Sequence, residues 1–262
     1  MKTRWIALAG VTALVAIAAA QSPTLRLRLN QGQTVTYVTT TTSEQGGQKS
    51  TTTVTQVMKV EKKTGNNMTI STTIQDIKGQ NLGPAAQMKG AKYTNDFTDR
   101  GVSSNMKVTN GNPQIVQALQ MSGGSQLGFM GIIYPAGAVK VGTTWTEHLD
   151  LGKMLGSIPN ATVEGKIPIV YKVAKIGKEG GKDIVTMDVT SNGTVKMTMS
   201  MPAQQGGQSQ RTTINIGIKG GGTAKVDAAT GLVVSSTSNM TQTINFGGQA
   251  QQTTTKSTTT LK

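Results

Sequence analysis

Apolar side chains recur at every second position over much of the chain, the period of strands buried on one face. Leu25, Leu27 and Leu29 alternate with Thr24, Arg26 and Arg28, and Val35, Tyr37 and Thr39 resume the pattern after Gly32. The same period marks 54–60, 68–77, 102–108, 167–176, 184–189, 195–201, 214–218, 232–238 and 241–246. Threonine fills many of the polar positions. Its branched Cβ favours strands and its hydroxyl tolerates water.

The connectors fit hairpins. Segments 44–48, 63–67 and 178–182 are short, polar and glycine-bearing, while 204–208 and 246–252 are looser and the latter leads into a threonine-rich tail. One short helix is predicted from Pro113, with Ile115, Val116, Leu119 and Met121 as its apolar side and Gly123-Gly124 as its stop. Motifs also recur in order. Gly32-Gln33-Thr34-Val35-Thr36 is echoed by Gly142-Thr143-Thr144-Trp145-Thr146, and Val57-Met58-Lys59-Val60 by Val170-Tyr171-Lys172-Val173. Segment 98–104 is echoed by 227–233. The expectation is an all-β protein of two similar halves, 21–134 and 135–262, packed as one unit with 134–141 as the junction. Their strands would form a large curved antiparallel sheet, a half-barrel or a sandwich. A face left partly uncovered by the short helix would form an apolar trough.

Residues 1–20 change the setting. Lys2 and Arg4 precede an apolar run that ends in Ala18-Ala19-Ala20, the pattern of a secretory signal peptide. The run is shorter than the roughly 20 residues of a membrane span. An exported protein of the periplasm or extracellular space is expected, with no transmembrane span after cleavage. The chain has no cysteine, which excludes disulfides, thiolate metal sites and a lipid-attachment cysteine.

Charge and aromatic content narrow the partners. The 26 Lys+Arg against 12 Asp+Glu give a formal charge of +14, which attracts anionic envelope polymers or lipid head groups. Lysines are scattered singly and aromatics make up 3%, too few to stack bases, so nucleic-acid binding is not expected. The 13 methionines supply flexible filling that rings usually provide.

An early leucine-alternating strand before a glycine, then Pro135, Val139, Val141, Gly142 and Trp145 at mid-chain, resembles a family of secreted bacterial β-rich proteins and lipoproteins of unknown function. The resemblance implies envelope location and β architecture and supplies no active site. The missing lipid-attachment cysteine departs from its lipoprotein members.

Candidate chemistry is sparse. The only histidine, His148, stands in Glu147-His148-Leu149-Asp150, but strand neighbours diverge to opposite faces. Met197, Met199 and Met201 share a strand face, the geometry of a Cu(I) site or of a buried sheet. Asp96, Asp99 and Asp227 precede glycine turns, where aspartate caps its own backbone; the alternative is a paired-carboxylate glycosidase site. The glycine runs 123–124 and 220–222 match neither phosphate-binding pattern. No catalytic, cofactor-binding or metal-ligating residue is assigned. The expected role is a non-enzymatic binding or structural protein of the envelope, holding a lipid, a lipoprotein tail or another apolar ligand. The alternative is a hydrolase of wall polymers or lipids.

Overall fold

The period-two segments pair edge to edge. The computed structural model describes residues 22–79, 82–111, 132–150, 161–201, 210–246 and 249–262. Its first five strands are β1 (Thr34–Gln45), β2 (Gln48–Thr64), β3 (Asn67–Gly79), β4 (Lys92–Thr98) and β5 (Ser103–Asn110). Then come β6 (Thr144–Leu149), β7 (Ala161–Glu164), β8 (Ile167–Glu179), β9 (Lys182–Met201), β10 (Gln210–Asp227), β11 (Val233–Phe246) and β12 (Gln249–Leu261). They form one antiparallel 12-stranded sheet in the order β5-β4-β3-β2-β1-β12-β11-β10-β9-β8-β6, with β7 beside β9. Its end strands, β5 and β6, do not pair, so the sheet is not closed into a barrel. Two meanders therefore meet where β1 and β12 pair, from Tyr37↔Leu261 to Gln45↔Thr253. The single 3-10 turn among the described residues, Gly83–Met88, connects β3 to β4.

The two meanders repeat particular hydrogen bonds. The Gly32 amide donates to the Val60 carbonyl at 2.8 Å and Val60 returns a bond to Gln33 at 3.0 Å. The Gly142 amide donates to Val173 at 2.8 Å and Val173 returns one to Thr143 at 2.9 Å. The β2–β3 ladder slips between Val60 and Lys62, and the β8–β9 ladder between Val173 and Lys175. Gly101 donates to Thr98 at 2.9 Å, as Gly231 does to Asp227 at 2.8 Å.

Several expectations need correcting. Residues 25–29 are extended but are not a strand. The Leu27 amide donates to Asp99 at 2.7 Å and the Arg28 amide to Thr230 at 2.9 Å, so this segment bridges turns of both meanders instead of joining a ladder. An extended strap has the same two-residue period as a strand, and Leu25, Leu27 and Leu29 are all buried. Segments 184–189 and 195–201 belong to one strand of 20 residues, β9. β4 and β12 escape the pattern because polar residues hold inward positions: Asn95 in β4, and Thr255, Ser257 and Thr259 in β12. The signal peptide and the helix expected from Pro113 lie outside the described residues.

Burial defines an inner face. Its main core joins the strap leucines to Tyr37, Met58, Val60, Ile70, Phe97, Tyr171, Val173, Met187 and Val226, with Ile132, Tyr134 and Val139 of the junction segment above them. A second cluster is separate: Ile167, Val195, Met197 and Ile216, flanked by Leu149, Val163, Ile214 and Ile218.

Candidate functional site

Two straps, 22–30 and 132–140, close the inner face at the main core. They bond to each other where the Val139 amide donates to the Pro23 carbonyl at 2.9 Å. The Arg26 guanidinium donates to the carbonyls of Leu25 at 2.6 Å, Pro135 at 2.7 Å and Ala136, with Asp99 3.5 Å from its Nε. Arg100 donates to the Tyr134 carbonyl at 2.7 Å and to Glu147. The Trp145 indole donates to the Ile133 carbonyl at 2.9 Å and stacks on Tyr171, with centroids 5.0 Å apart and planes 14° from parallel. The Tyr134 hydroxyl donates to the Gly231 carbonyl at 2.5 Å. Burial pushes the Tyr134 phenol well above its ordinary pKa, so it stays a neutral donor. Gly231 has φ +69°, and a Cβ there would collide with the Arg26 carbonyl. Val139 thus ties one strap to the other, while Gly142 and Trp145 fasten the second strap and its continuation to the sheet.

Beyond the straps the inner face changes chemistry. The register aligns Val54, Thr39, Thr259, Ser236 and Ala224 in one transverse row. The next row runs Thr52, Thr41, Ser257, Ser238 and Gly222, and the third Ser50, Ser43, Thr255, Met240, Gly220 and Ser191. Thr39, Thr41, Thr255, Ser257 and Thr259 are buried, at 7% exposure or less. Thr39 and Thr259 share a hydroxyl–hydroxyl bond of 3.0 Å, and Thr41 and Ser257 one of 2.9 Å. At the far end of the third row the Ser191 hydroxyl is buried without a hydrogen-bond partner among the described residues. Such an orphan costs about 1–3 kcal/mol, and valine would fill the threonine positions without that penalty.

Glycines separate this hydroxyl band from the second apolar cluster. A Cβ on Gly220 or Gly222 would collide with the carbonyls of Asn239 or Thr237, and one on Gly221 would lie 2.7 Å from the Val189 carbonyl. Only bare backbone lets β10 approach β9 and β11 this closely. On β9, a Cβ at Gly193 would lie 2.8 Å from Pro168 Cδ, at the start of β8. Along the inner face, the buried hydroxyls of β1 and β12 thus give way to half-buried glycine backbone and then to the isoleucine, valine and methionine of the second cluster.

No protein-family model matches the chain, and no curated protein is significantly similar to it.

The residues singled out in the sequence do not converge. Glu147 points inward to Arg100 while His148 is exposed, as strand alternation requires. Asp150 lies 3.8 Å from Lys166. Met197 is buried in the second cluster, between Val163 and Ile214 on its neighbouring strands. Asp227 accepts from the Ala229 amide at 2.9 Å, capping its own turn. Asp99 does not cap; its carboxylate faces Arg26. Asp96 is not a turn residue at all but sits within β4 on the outer face. Among the described residues no three His, Asp or Glu side chains group as metal ligands, and no helix is long and apolar enough to cross a membrane. The hydroxyl band was missed because buried threonine and serine read as solvent-facing strand residues.

Proposed function

We propose that this protein is a non-enzymatic, exported cell-envelope protein that holds an amphipathic lipid against the inner face of its sheet. One observation carries the reading: five buried hydroxyl-bearing residues occupy β1 and β12, next to bare glycine backbone and a separate apolar cluster. The hydroxyl band suits a polar head group, since each hydroxyl both donates and accepts. Ile216, Ile218, Val195 and Met197 suit an acyl chain, which gains about 0.8 kcal/mol per buried CH2. The glycine stretch lets a chain lie flat on backbone between the two zones. The positive charge of the chain favours approach to anionic lipid surfaces. In the same reading, the hydrogen bonds shared by the two meanders reflect duplication of one ancestral unit, and residues 1–20 serve as the export signal. Native mass spectrometry of the protein purified from its own envelope tests the function. A co-purifying species of lipid mass supports it; only the bare polypeptide mass, under conditions that preserve a control lipoprotein carrier's cargo, rejects it.

A further inference from the structure

The outer face of the first meander carries a second, unrelated feature. Pairing aligns Lys62, Thr69, Asp96 and Ser104 in one row across β2, β3, β4 and β5, and Thr64, Asn67 and Thr98 in the next. These two rows line a groove of about 390 Å³, within the size range of small-molecule sites. At its centre the Asp96 carboxylate accepts from Thr69 Oγ1 at 2.7 Å and from Asn105 Nδ2 at 3.0 Å, one bond to each oxygen. Both oxygens are fixed, and each retains a lone pair. These bonds, Asn105 first and Thr69 second, hold the Asp96 carboxyl below its ordinary pKa and keep it ionised.

The edge strand is distorted where it meets this carboxylate. Thr94 pairs with Lys107 but Asp96 with Ser104, so β5 carries an extra residue there. Asn105 takes φ +52°, the only positive φ outside glycine among the described residues. Bulges at sheet edges re-aim side chains, and this one directs Asn105 onto Asp96. The second meander supplies an internal comparison. Its corresponding row is Lys175, Thr186, Lys225 and Ser235, with lysine in place of the aspartate. Lys225 is engaged by Glu179 at 2.7 Å. The carboxylate, the bulged asparagine and the groove come together only in the first row.

We propose that the Asp96 groove binds a carbohydrate, taking a sugar ring by two adjacent hydroxyls on the carboxylate oxygens. Lys62 on the groove wall disfavours a metal dication, and Asp96 disfavours an anion. A neutral polyol satisfies both, since its hydroxyls donate to the carboxylate and accept from the ammonium and from Thr64 or Ser104. This site lies on the face opposite the lipid surface, so its failure would leave that reading standing. Saturation-transfer NMR of the full chain with D-glucose, D-mannose, D-galactose and N-acetyl-D-glucosamine at millimolar concentration tests it. At least one sugar is expected to bind, with Kd raised about tenfold or more in Asp96→Lys and in Asn105→Gly. Asn105→Gly relieves the positive φ and keeps the fold, and Asp96→Lys reproduces the second meander's row. No binding of any of these sugars, or binding that persists in a folded variant, overturns the proposal.

Discussion

Thr39 and Thr259 offer a direct test of whether the buried hydroxyls serve stability. Each is 1% exposed, and among the described residues their hydroxyls bond to each other at 3.0 Å and to no other side chain. Thr39→Val removes one partner and leaves the other hydroxyl buried and unpaired, at a cost of about 1–2 kcal/mol; Thr259→Val costs the same for the same reason. The double variant removes both hydroxyls and keeps both shapes, so it returns to within about 0.5 kcal/mol of the parent or exceeds it, for a coupling of about 2–4 kcal/mol. Urea unfolding followed by circular dichroism and by Trp145 fluorescence reads all four corners of the cycle. Native mass spectrometry of the same proteins reads the cargo, which the double variant is expected to lose while remaining folded. Additive losses in the double variant would refute the energetic reasoning. A stable double variant with full cargo would refute the functional one.

Other expectations follow from single contacts. Gly222→Ala drives a Cβ into the Thr237 carbonyl and is expected to lower stability by about 1–3 kcal/mol. Gly217→Ala, whose nearest neighbours would lie 3.8 Å away, is expected to be neutral or to gain up to about 1 kcal/mol; equal urea midpoints would contradict the close-approach argument. Arg26→Met removes the donors that hold both straps, and hydrogen exchange at the Leu27 and Arg28 amides should quicken more than tenfold while the β1–β12 amides stay protected. Asp96 has a depressed pKa in the folded state, so its stabilisation is present above the unfolded value of about 4 and is lost as pH falls through the folded value. Asp96→Asn should therefore flatten part of the acid limb of a melting-temperature profile and leave the neutral limb parallel to the parent; an unchanged acid limb would contradict the assignment.

Most of the sheet was legible from alternation because one face of each strand packs on apolar neighbours. Val35 and Tyr37, Met58 and Val60, and Met187 with Val189 all show it. The glycine hairpins were legible for the same reason, since the strands on either side change direction there. What failed has physical causes. Leu25, Leu27 and Leu29 follow strand periodicity because any extended segment alternates, whether its amides meet a ladder or two separate turns. β12 was lost because its inward residues are Thr255, Ser257 and Thr259, chemically indistinguishable in sequence from outward ones. Gly220, Gly221 and Gly222 end the apolar alternation of 214–218, yet the strand runs on through them to 18 residues because close backbone approach needs them there. The Asp96 groove was invisible because its residues come from β2, β3, β4 and β5 and meet only once register is set.

The account depends on the inner face, not the outer one, receiving the cargo. Methyl NMR of isoleucine side chains during titration with a lysophospholipid below its micelle concentration separates the two. Shifts concentrated at Ile167, Ile214, Ile216 and Ile218, with Ile70 beneath the straps unmoved, are the expected result. Uniform small shifts, or none at those four methyls while lipid demonstrably binds, would contradict it.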